Sequence, residues 1–129
     1  MRVPYTAFKI KNAPIRQKLI QAFEQVIDSG HYIQGPNCAA FEQEFASFCG
    51  SPFASGTSNG TDSLHLILRA MGIGPGDEVI TAPNSFIASA SAIALVGAKP
   101  VFVDVTVDLN INPDKIEKAI TSQTKAIIP

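Results

Sequence analysis

The sequence is poor in cysteine, in charge and in long apolar runs, and each shortage closes off a class of function. Its two cysteines, Cys38 and Cys49, match no zinc spacing and no CxxC motif, so both read as reduced thiols and no metal site is expected. Charged residues make up 16% of the chain and leave a net charge of −1, with no Lys/Arg cluster to offset it. Lys9, Lys11, Arg16 and Lys18 are spread over a helix start as a solvated face, so nucleic acid is not an expected partner. No apolar run approaches membrane-spanning length, and the first residues hold Pro4 and Lys9 without an apolar stretch between flanks. Neither a membrane nor a signal peptide is therefore expected, and the setting reads as cytoplasmic. Repeats, low-complexity tracts and linkers are also missing, which leaves one domain for 129 residues that are 46% hydrophobic.

What is present is an alternation of helical and strand patterns. Residues 1–13 show no sustained period and read as an extended arm. Over 14–50 two helices are expected. In the first, Ile15, Leu19, Phe23, Val26 and Ile27 fall three or four apart and Gly30 is the stop. The second, after a turn at 31–36, carries Phe41, Phe45 and Phe48 on one stripe, expected to pack in a core rather than to frame a ligand, and ends at Gly50. Over 51–129 the pattern predicts βα units, with strands at 53–57, 78–82 and 101–105 and a fourth beginning at 126. Helices are predicted over 61–71, 86–96 and 113–120. Leu64, Ile67, Leu68 and Met71 would form the buried side of the first of these. Continuously apolar strands joined by short helical connections predict the α/β class, a parallel sheet flanked by helices. The sequence stops at Pro129 just as an apolar strand begins, which reads as a sheet interrupted part-way.

The junction at 57–61 carries the most chemistry. A strand that passes through Ser58, Asn59 and Gly60 into a helix opening at Thr61 presents the first backbone N–H groups of that helix, which have no partner within it, at the positive end of its dipole. A phosphate fits there. Gly60 lets the backbone approach closely, and the hydroxyls of Ser58 and Thr61 are further donors; Asp62 would repel an anion if it pointed inward and is expected to serve the helix. A Ser/Asn/Thr cap without a ligand explains the same residues equally well. The glycine-rich stretch at 72–77 follows a helix and precedes a strand, so it reads as a connecting loop and not as a nucleotide fingerprint.

In a parallel sheet the strand ends that lead into helices share one edge, where ligands bind. That edge collects residues 57–61, 83–86 and 104–108. Phe86 at its mouth could stack on a flat ring whose phosphate sits at Gly60 and Thr61, or could simply anchor its own helix. His65 lies in a largely apolar helix and reads as a hydrogen-bonded structural histidine; His31, beside Tyr32, lies in a turn from which it could reach a substrate. Asp104 and Asp108 read as loop or capping carboxylates and not as an acid–base pair.

The runs GHYIQGP (30–36), FE (41–42), TSNGTDSLHL (57–66), GPGDEVIT (74–81), SFIA (85–88) and GAKPVFVD (97–104) resemble the DegT/DnrJ/StrS family of nucleotide-sugar aminotransferases. The resemblance covers nearly the whole chain. It implies the N-terminal part of the large domain of a fold-type-I pyridoxal-phosphate enzyme, a homodimer in its complete form. Its partners would be a keto-sugar nucleotide and an amino donor, glutamate. It implies that Gly60 and Thr61 contact the cofactor phosphate and that Phe86 stacks on the pyridine ring, with Ser58 and Asn59 in the same motif. Tyr32 and His31 resemble the segment that lines the substrate side. The family also needs a Schiff-base lysine and an acidic partner for the pyridinium nitrogen. Neither Lys99 nor Lys125 matches the lysine motif, so the chain alone is expected to be inactive. Two alternatives stay open: a portion of a sugar dehydratase of the same family, or a non-catalytic α/β module that binds a phosphate compound or a partner chain.

Overall fold

The computed structural model of the chain describes residues 3, 5, 6, 8–10 and 12–129. They group into two compact units, Met1–Gly56 and Thr57–Pro129. Of the arm expected over 1–13, residues 1, 2, 4, 7 and 11 lie outside the described residues, the others up to Asn12 carry neither helix nor strand, and Ala13 already belongs to the first helix.

The first unit holds helices α1 (Ala13–Ser29) and α2 (Pro36–Cys49). Asn12 caps α1 by accepting the Ile15 N–H at 3.1 Å, and Pro14 in the first turn has no N–H to leave unpaired. Each helix stops on a left-handed glycine, Gly30 at φ 66° and Gly50 at φ 65°. The apolar stripes are less buried than the sequence led us to expect. Leu19, Phe23 and Ile27 of α1 remain 50%, 67% and 47% exposed. Phe41 and Phe45 stack with centroids 5.6 Å apart, and Phe48 follows at 6.4 Å, yet all three rings are exposed. Burial needs an element laid across the stripe, and among the described residues their own unit supplies none.

The strand expected at 53–57 does not form. A strand exists only where a neighbour completes its ladder, and no described strand lies beside this segment; Phe53 stays exposed. The second unit therefore begins with a helix. Its elements are α3 (Gly60–Ala70), β1 (Glu78–Thr81), α4 (Ala88–Leu95), β2 (Lys99–Phe102), α5 (Pro113–Ala119) and β3 (Thr124–Ile128). The three strands make a parallel sheet in the order β2-β1-β3, with Ile80 opposite Val101 on one side and Ile127 on the other. β2 runs over Lys99–Phe102 and not over the 101–105 expected: it starts opposite Glu78, where β1 starts, and stops at Phe102 because β1 ends at Thr81 and Pro83 beyond it has no N–H to extend the pairing. Val105 instead closes a short turn by bridging antiparallel to Ile111.

The core joins Leu68, Ile73, Val79, Ala92, Ile93, Val96 and Ala98 into one cluster, with Leu64 packed against it. One row of α3, Leu64 and Leu68, thus meets the core. The neighbouring row, Ile67 and Met71, was expected there too but is 55% and 58% exposed, with no described element over it. Residues 72–77 form the connecting loop expected of them, held by Gly74 donating its N–H to the Asp77 carboxylate at 3.0 Å.

Thr81, at the end of β1, is 1% exposed, and its hydroxyl has no hydrogen-bond partner among the described residues. A buried hydroxyl without a partner costs about 1–3 kcal/mol. Thr81→Val keeps the β-branched shape and removes the orphan oxygen, so it should raise the urea midpoint of the chain by the equivalent of about 1 kcal/mol; a lower midpoint would refute this account. In the turn after β2, the Thr106 hydroxyl and the Asn110 amide hold the Asp108 carboxyl below the usual aspartate range. The folded value is the depressed one, so the turn gains this stabilisation above the usual range and loses it as the pH falls through the folded value. Acid titration followed by NMR should therefore show the Asn110 side-chain amide resonances moving together with the Asp108 carboxyl. Independent titration of the two would argue against the linkage.

Candidate functional site

The site grows out of the way α3 begins. Asn59 stands just before it in extended conformation, and its side-chain oxygen accepts the Asp62 N–H at 2.9 Å while its carbonyl accepts the Ser63 N–H at 3.0 Å. The side chain thereby satisfies one orphan donor of the helix, and the carbonyl takes the first bond of its regular ladder. The N–H groups of Gly60 and Thr61 have no acceptor among the described residues, and neither does the Thr61 hydroxyl. Free donors at the positive end of a helix are what an anion recognises.

Gly60 adds shape. Its φ is not in the left-handed region, and a Cβ built on it meets nothing within 4 Å. Neither backbone conformation nor packing inside the chain asks for glycine here. What the missing side chain provides is open space at the start of the helix, beside the two free N–H groups.

That space is part of a concavity of about 420 Å³ lined by Asn59, Gly60, Thr61, Leu64, Phe86, Ala88 and Ser89. Both α3 and α4 therefore present their N-terminal ends to it, and both dipoles favour negative charge there. Phe86 leads into α4 and is 77% exposed, so it does not anchor its helix in the core. Its ring is an apolar face left bare at the rim of a polar end. The sequence had singled out Asn59, Gly60, Thr61 and Phe86. It had missed Leu64, Ala88 and Ser89, whose only signal was helical spacing: Leu64 lies one turn after Gly60 and Ser89 three residues after Phe86.

The remaining candidates are placed differently. Ser58 donates its hydroxyl hydrogen to the Asp62 carboxylate, so it stabilises the turn and has no proton free for a ligand in this arrangement. Asp62 likewise serves the helix start. His65 is half-buried, and its ring makes no hydrogen bond among the described residues, which corrects the expectation of a hydrogen-bonded histidine. His31 and Tyr32 belong to the first unit. The His31 N–H donates to the Ser29 hydroxyl oxygen at 3.1 Å, and the exposed Tyr32 hydroxyl donates to the Ile27 carbonyl at 3.4 Å. The Lys115 ammonium, 2.7 Å from Asp104, holds that carboxyl below the usual range, with help from the Val105 N–H. Asp104 is thus a loop anchor and not an acid. Lys99, at the opposite end of β2, is paired with Glu78 at 2.8 Å, and neither it nor Lys125 lines the concavity. Among the described residues, no helix is long and apolar enough to cross a membrane.

Residues 14–129 match the model of the DegT/DnrJ/EryC1/StrS aminotransferase family. Over 128 residues the chain is 41% identical to UDP-2-acetamido-2-deoxy-3-oxo-D-glucuronate aminotransferase of Pseudomonas aeruginosa, covering 98% of this chain and 36% of that protein. Among solved structures, DesV of S. venezuelae, in complex with a ketimine intermediate, superposes with a TM-score of 0.91 at 42% identity; the match covers 98% of this chain and 34% of that one. NtdA of Bacillus subtilis, with bound cofactor PMP, superposes with a TM-score of 0.82 at 35% identity over 90% of this chain and 27% of its own. The chain spans about a third of the length of the curated relatives it matches. Aminotransferases of this family depend on pyridoxal phosphate, a phosphate ester on a flat ring, which is the chemistry that the free N–H groups, the open space at Gly60 and the bare face of Phe86 suit. The chain belongs to the DegT/DnrJ/EryC1/StrS aminotransferase family.

Proposed function

We propose that the chain is the phosphate- and ring-holding portion of a pyridoxal-phosphate-dependent sugar aminotransferase, which in complete form moves an amino group from glutamate to a keto-sugar nucleotide. The observation that carries this reading is one concavity holding both the free N–H groups of Gly60 and Thr61 and the exposed ring of Phe86. The relatives support the sugar nucleotide as substrate class and the amino group as cargo.

When bound, the cofactor supplies an electron sink for amino-group transfer. The chain's own residues supply position. The Gly60 and Thr61 amides and the Thr61 hydroxyl bind the phosphate oxygens. Phe86 covers one face of the ring and keeps water from it. Asn59 and Ser58 hold the turn through Asp62, so that the amides point outward. With no lysine in the concavity, this portion binds without forming a covalent bond to its ligand and does not transaminate unaided. Tyr32 and His31 are proposed to face the sugar nucleotide, and the complete enzyme to be a homodimer in the cytoplasm.

The test is equilibrium titration of the chain with pyridoxal phosphate, beside pyridoxal as the control without phosphate. Saturation at one site per chain is expected, with pyridoxal binding at least about ten-fold more weakly. Gly60→Val should fold normally, since its Cβ has room, but should lose about ten-fold or more in affinity by filling that room. Native affinity in Gly60→Val, or equal binding of pyridoxal, would rule out the phosphate site.

A further inference from the structure

An exposed ring raises the question of what holds it in place. Phe86 is not fixed by packing, so its direction depends on the backbone around it. On its C-terminal side the restraints are local. The Ser89 N–H donates to the Phe86 carbonyl at 3.0 Å, and the Ser85 and Ser89 hydroxyls lie 2.9 Å apart. On its N-terminal side there is, among the described residues, one long-range restraint: the Asn84 side-chain amide donates to the Leu109 carbonyl at 3.0 Å, across 25 residues of sequence.

Leu109 is an unusual acceptor. Its φ of 68° lies in the left-handed region, which a leucine occupies only under constraint, and its own side chain is 68% exposed and does not constrain it. The constraint comes from the turn. The Leu109 N–H donates to the Thr106 carbonyl at 3.0 Å, and the Thr106 N–H to the Asn110 carbonyl at 2.9 Å. Asp108 takes the Thr106 hydroxyl and, at 3.2 Å, the Asn110 side-chain amide. The antiparallel bridge of Val105 to Ile111 closes the ends. A strained residue persists where its surroundings over-determine it. Here the result is a carbonyl aimed at Asn84.

From this geometry we infer that Asn84 is a positioning residue: by hydrogen bonding to Leu109 it ties the 83–86 connection to the 105–111 turn and so sets where the ring of Phe86 stands over the concavity. The inference rests on the cofactor reading above. The tether acts on the ring and not on the phosphate, because the α3 amides are held separately by Asn59.

That division sets the test. The chain is titrated with pyridoxal phosphate and with inorganic phosphate, a probe without a ring, in native form and as Asn84→Ala, Thr106→Val and Phe86→Ala. Circular dichroism of the bound ring is recorded alongside affinity. Loss of one hydrogen bond should weaken pyridoxal phosphate about five-fold in Asn84→Ala and reduce the induced dichroism, while inorganic phosphate stays within about two-fold. Thr106→Val loosens the turn from the other end and should give the same ring-specific loss; it decides the matter if Asn84→Ala does not fold. If Phe86→Ala loses pyridoxal phosphate affinity and dichroism while Asn84→Ala and Thr106→Val keep both, the positioning role is overturned and the cofactor reading stands. If Phe86→Ala binds pyridoxal phosphate as the native chain does, the stacking reading fails and the inference falls with it.

Discussion

Parallel pairing on both flanks of β1 is the constraint from which the site follows. A parallel neighbour can be reached only by a crossover, so each strand must hand the chain to a connection at the same edge of the sheet. The connection after β1 leads through Phe86 into α4, and the one after β2 makes the turn that reaches back to Asn84. Packing of α4 against the sheet and of α3 against α4, through Leu68, Ala92, Ile93 and Val96, then sets two helix N-termini at one concavity. The polar end of the site is thus a consequence of an apolar arrangement behind it.

The division of labour follows the same logic. In the proposed function backbone amides do the anion recognition, and they need only to be left unpaired and uncovered. Asn59 achieves the first by satisfying the later N–H groups and leaving the earlier ones, and Gly60 achieves the second by having no side chain. Side chains around them work mainly on one another. Ser58 is an instance: its hydroxyl looked like a donor for the ligand, but the carboxylate four residues on in the same helix start engages it.

Much of this was legible in the sequence where the physics is local. Helix stops at Gly30 and Gly50, the cap at Asn59 and the parallel α/β pattern each rest on a few neighbouring residues. The free N–H groups at Gly60 and Thr61 follow from helix geometry alone. What was not legible depends on partners far along the chain. A run such as 53–57 has strand composition, but a ladder is a property of two segments. The stripe of Phe41, Phe45 and Phe48 has the spacing of a core face, but burial requires a cover, and spacing does not say whether the chain provides one. The hydrogen bond from Asn84 to Leu109 joins a side chain to a backbone oxygen 25 residues away and leaves no periodic trace at all.

Gly60 occupies an uncommon position in this respect. Most glycines that matter are required by their own fold, through a left-handed φ or a neighbour too close for a Cβ, and their replacement shows up as lost stability. Gly60 has neither requirement. Alanine in its place would, if anything, favour the helix. Any selection that reads only how much folded protein accumulates would therefore treat this site as free to vary. The proposed phosphate contact makes its constraint visible solely to a selection that reads binding, so under that proposal the two kinds of selection should leave opposite patterns of tolerated substitution at this one residue.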